Sequence, residues 1–104
     1  MATGAVEHFI RHLAKENGPF GVRVACVRSP GSPDSPGVRE VFTMHAAEQG
    51  MSLEAFERRA GEGAPLRHLS SLAEIADAAV ILASDYARVL TATVLNATGG
   101  AQVD

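Results

Sequence analysis

The fold is decided by residues 21–31, which have the sequence GVRVACVRSPG. Its nearly continuous apolar run, formed by Val22, Val24, Ala25, Cys26 and Val27, is typical of a strand that is buried on both faces of a parallel sheet. Pro30 has no N–H for a sheet ladder and Gly31 adopts backbone angles closed to other residues, so the strand gives way to a loop there. Because ligands bind beyond the carboxyl ends of strands in open parallel sheets, we expect a binding site near residues 28–32.

Composition and charge narrow the class of protein. The 104 residues carry a net charge of −3, with 46% hydrophobic and 20% charged residues. These values are typical of one globular domain over residues 1–104. The basic residues are scattered and lack interleaved aromatic residues, so a nucleic-acid partner is not expected.

Targeting signals and cysteine usage indicate the cellular compartment of the protein. No apolar run approaches the roughly 18 residues of a membrane span. The N-terminal residues lack the basic and apolar segments of a signal peptide, and we therefore expect a cytoplasmic protein. Cys26 is the only cysteine, which excludes an intramolecular disulfide and a metal site built on cysteines. Its place in the apolar strand predicts a small buried core residue.

Hydrophobic periodicity predicts an α/β fold. The predicted elements are a helix over 3–17, a strand over 22–27, a helical insert over 28–64, a helix over 72–84 and a strand over 91–97. Within the insert, Gly50 ends one short helix and Ser52 caps a second. Ser71 and Glu74 form a capping box for the helix that follows. Strand, crossover helix and strand predict a right-handed βαβ unit with a two-stranded parallel sheet.

A two-stranded parallel sheet does not stand alone, because parallel sheets need cover on both faces and at their edges. We therefore expect the fold to be completed by oligomerisation or by another polypeptide. The apolar stripe from Val6 to Leu13 on the first helix favours self-association as a homodimer.

Two pairs of side chains lie four residues apart on the first helix. Glu7 and Arg11 are predicted to form a weak ion pair. His8 and His12 have a spacing that could hold a metal ion. No third ligand is evident nearby and the companion glutamate of a zinc-protease helix is missing. A solvated or interface-facing histidine pair is therefore favoured, and no metal is expected.

Four pieces of the chain occur in a recognisable order and spacing. They are GAVEHF (4–9) with LAKENGP (13–19), GVRVACV (21–27) with PG (30–31), PLRHL (65–69) with LAEIADA (72–78) and LASDYA (82–87), and TATVLN (91–96) with GG (99–100). Together they resemble the C-terminal portion of a short-chain dehydrogenase/reductase. They are similar to the helix after the catalytic tyrosine and lysine, the sixth strand with its Pro-Gly turn, the last long helix, and the seventh strand with its terminal Gly-Gly. The resemblance implies a truncated Rossmann-like unit from a family of oxidoreductases.

The same resemblance implies that nicotinamide chemistry is not available to these residues alone. The sequence has no GxGxxG motif. Thr3 stands where the family has its catalytic lysine, and the catalytic tyrosine would precede residue 1. Where the family offers a backbone N–H to the nicotinamide amide, this chain has Pro33, which has no such donor. Tyr86 belongs to the end of a helix and is no substitute. No bound cofactor is therefore expected.

The resemblance also implies that the insert forms a lid over a substrate. The candidate substrate-binding residues are Arg28, Ser29, Pro30, Gly31, Phe42, Met44, His45, Met51 and Phe56. His45 is the ionisable residue on the apolar face of the insert and is the one candidate for an acid or base. The alternative is that the insert residues form the ordinary core of short helices.

Three functional hypotheses remain open at this point. In the first, a truncated short-chain dehydrogenase/reductase-like protein binds a small organic molecule under the lid, with a cofactor-independent isomerisation or cyclisation as its candidate reaction. In the second, the chain is a non-catalytic structural or regulatory subunit of a full-length homologous partner chain. In the third, it is the substrate half of a split oxidoreductase.

Overall fold

The structure is a computed structural model that describes the backbone of residues 2–101 and the side chains of residues 4–101. The helices are α1 (Ala2–Asn17), α2 (Pro36–Glu48), α3 (Leu53–Glu62) and α4 (Leu72–Ala83), and the strands are β1 (Ala25–Arg28) and β2 (Thr93–Asn96). The two strands pair in one parallel sheet, which confirms the predicted α/β fold class. The side chain of Thr3, predicted to occupy the lysine position, lies outside the described residues.

The described residues form two compact units. The first unit contains the residues up to Arg28 together with Asp77–Leu95, and the second contains Ser29–Ala76 together with the described residues from Asn96 onward. The prediction of a single domain stays a prediction. Over the described residues, no helix is both long and apolar enough to cross a membrane.

Both strands are shorter than the apolar pattern predicts. A 3₁₀ turn over Gly18–Phe20 ends at Gly21, whose φ of 75° is left-handed, and the N–H of Val22 bonds back to the carbonyl of Asn17 at 3.3 Å. Val22 therefore belongs to the turn, and β1 begins three residues later than predicted. Ala92, with a φ of 54°, interrupts the extended backbone before β2 in the same way.

Every residue of β1 and of β2 is half-buried. The prediction that β1 is buried on both faces is therefore wrong for this chain by itself. The same holds for Cys26, which is half-buried and not a core residue. Strands of a parallel sheet become fully buried only when helices cover both faces, so the described residues cover the sheet only in part.

The core of the first unit combines one side of the predicted apolar stripe on α1 with a residue of α4. Ile10 and Ala14 on α1 are buried, as is Leu82 on α4, whereas Phe9 is 62% exposed. Helix α1 packs against β1. The stripe expected from Val6 to Leu13 therefore divides into a buried side and an exposed apolar side.

The second unit is organised by α2 and α3, which pack against each other. Ser52 caps α3, because its hydroxyl accepts a hydrogen bond from the N–H of Ala55 at 3.1 Å. Gly50 follows α2 with a φ of 65°, as a helix-ending glycine does. The capping box at the start of α4 is also confirmed: the N–H of Ser71 donates to the Glu74 carboxylate at 2.9 Å, and the N–H of Glu74 donates to the Ser71 hydroxyl at 3.1 Å.

Candidate functional site

The loop after β1 is an ordered turn. The N–H and the hydroxyl of Ser35 both donate to the carbonyl of Ser32, at 3.0 and 2.9 Å. Gly31 has a φ of 90°, a conformation that other residues rarely adopt. The Ser32 hydroxyl is buried and has no hydrogen-bond partner among the described residues. Ser29, Pro30 and Gly31 thus lie in a loop of defined shape, as a binding loop requires.

Arg28 makes a contact that the sequence does not reveal. Its Nε and Nη2 donate to the two carboxylate oxygens of Glu7 at 3.1 and 3.0 Å, and each side chain is 11% exposed. The expectation that Glu7 pairs with Arg11 is therefore wrong. Such a bidentate pair, partly shielded from water, ties β1 to α1 within the first unit. The role of Arg28 in substrate binding stays a prediction.

Three of the five candidate residues of the insert come together in the second unit. The rings of Phe42 and Phe56 meet edge to face at 5.1 Å, and the His45 ring stacks on Phe56 with centroids 6.2 Å apart. We call Phe42, His45 and Phe56 the aromatic cluster. Of the other two candidates, Met44 is 59% exposed, and the Met51 sulfur lies 3.7 Å from the guanidinium of Arg59.

The chemistry available at the aromatic cluster is that of an exposed imidazole. His45 Nδ1 lies 3.7 Å from a carboxylate oxygen of Glu48, with both side chains open to solvent. At this distance, and with both side chains in water, the contact with Glu48 is a weak surface interaction. Phe56 also lines a cavity of about 270 Å³, together with Gln49, Arg59 and Ala60.

A second cavity in the second unit involves residues that sequence reasoning did not select. It measures about 430 Å³ and is lined by Pro65, Leu66, His68, Ser70, Glu74, Asn96, Ala97, Gly99 and Gly100. His68 Nδ1 lies 3.1 Å from the Leu66 carbonyl and Nε2 lies 3.2 Å from the Glu74 carboxylate. Because both ring nitrogens face acceptors, the doubly protonated imidazolium fits this position best.

Electrostatics agree with that assignment. The hydrogen bond to Glu74 raises the pKa of His68 above its ordinary value, and the Leu66 carbonyl adds to the effect. The pKa of Glu74 is lowered, first by the N–H of Ser71 and then by His68. No periodic signal joins His68 to Glu74, because an irregular loop separates them, and the sequence could not have indicated this pair.

The first unit has a groove between β1 and α4. It measures about 410 Å³ and is lined by Gly21, Arg23, Ala25, Val27, Ala79, Leu82 and Ala83. The Arg23 guanidinium donates to the carbonyls of Leu82 and Leu90 at 2.9 and 3.3 Å. These hydrogen bonds connect the chain segment before β1 to the end of α4 and to the segment before β2. The small side chains of Ala25, Ala79 and Ala83 leave room for another element to approach closely.

No three metal-ligating side chains converge anywhere in residues 4–101. The described strands are β1 and β2, and neither is followed by a glycine-rich GxGxxG turn. The arrangement that the described residues form is a Rossmann-like α/β unit with two parallel strands, the Pro-Gly loop and the helical insert.

Solved structures share this fold. A short-chain dehydrogenase family protein from Francisella tularensis matches with a TM-score of 0.86 and 23% identity, over 94% of this chain and 40% of that one. Aldohexose dehydrogenase from Thermoplasma acidophilum matches with a TM-score of 0.82 and 26% identity, over 94% of this chain and 38% of that one.

The family follows from the sequence comparison. A family model described as enoyl-(acyl carrier protein) reductase matches residues 1–102. The chain belongs to this family of short-chain dehydrogenases/reductases, and the resemblance stated above is confirmed.

Relatives of known sequence are much longer. An uncharacterized oxidoreductase of Bacillus subtilis, YmfI, is 34% identical over 96% of this chain and 36% of its own length. A peroxisomal 2,4-dienoyl-CoA reductase of Danio rerio is 35% identical over 96% of this chain and 30% of its own length. The chain therefore spans about a third of the length of these relatives.

Proposed function

We propose that this chain forms the substrate-side half of a short-chain dehydrogenase/reductase-type oxidoreductase. In this proposal it takes part in hydride transfer only together with polypeptide that supplies the nucleotide-binding strands, and it does not bind NAD(P) alone. The observation that carries the proposal is the two-stranded sheet whose residues are all half-buried. Parallel sheets in α/β proteins are covered on both faces, so these strands are suited to continue into a larger sheet.

The free edge of β1 indicates where that polypeptide would join. The carbonyl of Val24 accepts a hydrogen bond from the N–H of Ala92, and the N–H of Val24 donates to the Thr91 hydroxyl. Because successive residues of a strand direct their backbone groups to opposite edges, those of Ala25 and Val27 face away from β2. We propose that a parallel strand from the nucleotide-binding half pairs there, with a helix or loop of that half filling the groove beside Ala79 and Ala83.

The ligand of the substrate-side half is proposed to be a small organic molecule. Flat apolar rings at the aromatic cluster favour a ligand with an apolar surface, and the ordered loop of Ser29, Pro30 and Gly31 in the same unit offers backbone groups for polar contacts. In this part of the proposal the insert covers the ligand, which is the lid role that the family resemblance implies.

A second candidate function follows from His45. Its imidazole stacks on Phe56 and has a carboxylate 3.7 Å from Nδ1, and an imidazole is the side chain most often used for general acid and base catalysis. A cofactor-independent isomerisation or cyclisation would use it as the acid or base. This candidate needs no nucleotide-binding half, and that difference separates it from the first.

Calorimetric titration of NADH and of NADPH into the chain tests the first claim. We expect no binding tighter than about 100 μM, which corresponds to roughly −5.5 kcal/mol. Micromolar binding to the chain alone would overturn the proposal.

Complementation tests the second claim. The chain is mixed with the portion of the Bacillus subtilis relative that precedes its match to this chain, and complex formation is followed by native mass spectrometry. Val27→Pro removes an N–H at the free edge, where proline is tolerated in an unpaired strand, and should abolish the complex. Val27→Ala is the matched control and should keep it. Equal assembly of both variants would show that β1 is not the joining edge.

A further inference from the structure

His8 and His12 form a pair that neither the fold nor the proposed function uses. Both are exposed on α1, one turn apart, with their Nε2 atoms 3.0 Å from each other. The rings meet edge to face, with centroids 4.6 Å apart. Two imidazole nitrogens at this distance share one proton when both rings are neutral, because one must donate and the other accept.

We propose that His8 and His12 chelate one divalent transition-metal ion, Cu²⁺ or Ni²⁺. With metal–nitrogen bonds of about 2.05 Å, the observed separation corresponds to an N–metal–N angle of about 94°. That angle is close to the right angle between neighbouring ligands in square-planar and octahedral complexes. Tetrahedral Zn²⁺ would need the nitrogens about 3.35 Å apart. Tetragonal nitrogen sites select Cu²⁺ or Ni²⁺, and Cu²⁺ binds most strongly in the divalent series.

The helix backbone places the two imidazoles side by side before any metal binds. Side chains four residues apart on a helix are neighbours on one face, and α1 is anchored in the first unit through the buried residues Ile10 and Ala14. The metal would replace the proton that the two rings share. Solvent would fill the remaining positions, so the site is open and needs no third protein ligand.

This site differs from the one that the sequence argues against. The missing third ligand excludes a closed structural zinc site, which uses four protein ligands. It does not bear on an exposed two-nitrogen chelate. Arg11 and Lys15 lie on the same helix and lower the affinity through repulsion, which is weak because all of these groups are in solvent.

The test uses the tag-free chain and isothermal titration with CuCl₂, NiCl₂ and ZnCl₂. We expect one Cu²⁺ per chain, tighter binding of Cu²⁺ than of Zn²⁺, and an affinity at least about tenfold lower in His8→Ala and in His12→Ala. Paramagnetic resonance of the Cu²⁺ complex should show hyperfine coupling to two equivalent nitrogens. The controls are His45→Ala and His68→Ala, which remove histidines of the second unit and should bind as the wild type does.

Two outcomes would overturn the proposal. The first is equal Cu²⁺ affinity in the wild type and in His12→Ala, with circular dichroism showing that both are folded. The second is Zn²⁺ binding that is tighter than Cu²⁺ binding, since this would contradict the geometry from which the metal was inferred. Either result leaves the proposed oxidoreductase function untouched, because that function does not involve α1 as a metal site.

Discussion

Removal of the Glu7 carboxylate should destabilise the first unit by about 3 kcal/mol. Glu7→Ala leaves the guanidinium of Arg28 without two charge-assisted hydrogen bonds of 3.0 and 3.1 Å. Breaking a buried ion pair by removing one partner costs roughly 3–5 kcal/mol. Because each side chain keeps 11% of its surface in water, we expect a loss at the lower end of that range.

The assay is thermal and urea unfolding followed by circular dichroism at 222 nm. For a chain of this length, a loss of about 3 kcal/mol corresponds to a fall in Tm of roughly 12 to 24 °C. Glu16→Ala is the matched control, because it removes an exposed glutamate from the same helix and changes helix propensity equally. We expect that control to change stability by less than about 0.5 kcal/mol.

A double-mutant cycle isolates the interaction itself. Glu7→Ala, Arg28→Ala and the double variant should give a coupling energy of about 2 kcal/mol, within the range observed for side chains in direct contact. If Glu7→Ala costs less than about 1 kcal/mol and the coupling is zero within error, the pair behaves as a surface salt bridge. The reasoning that ties β1 to α1 through this pair would then be refuted.

Three further predictions concern packing, protonation and capping. Ile10→Ala should lower the free energy of unfolding by roughly 2–5 kcal/mol, whereas Phe9→Ala should cost less than about 1 kcal/mol; equal losses in urea would mean that α1 buries a different face. In an NMR titration, His68 should show a raised pKa, and this pKa should fall in Glu74→Gln. An unchanged His68 pKa in Glu74→Gln would contradict the ion pair between the two side chains. Its stabilising effect is complete below the unfolded pKa of about 6.5 and disappears as the pH rises through the higher folded pKa. The lowered pKa of Glu74 gives the opposite sign, with stabilisation lost as the pH falls through its folded value. Ser71→Ala should cost about 1 kcal/mol, and Ser71→Thr, which keeps the cap, should restore most of it.

Much of the candidate site was predictable because it depends on family motifs and on local periodicity. The loop of Ser29, Pro30 and Gly31 follows β1 as expected, and the insert is helical as expected. Convergence of Phe42, His45 and Phe56 was not predictable, because α2 and α3 must first pack together before their side chains can meet. Periodicity places Met44 on the same turn of helix but does not say which side of that turn faces α3.

Signals within one element determined the kind and order of the helices and strands. The capping box at Ser71 and Glu74, the cap at Ser52 and the stop at Gly50 each involve groups within a few residues, and all three occur in the structure. Side-chain periodicity and hydrogen bonds of this short range are properties of the chain itself, so they can be read without knowledge of the tertiary fold.

Contacts between distant residues were decided only by the tertiary structure. The pairing of Glu7 with Arg28 joins residues 21 positions apart and replaces the helical pair with Arg11 that local spacing favours. The half-burial of β1 has the same origin, because an apolar strand is buried only to the extent that other elements cover it. Apolar composition shows that a strand is suited to burial, but the cover must come from polypeptide packed on both of its faces.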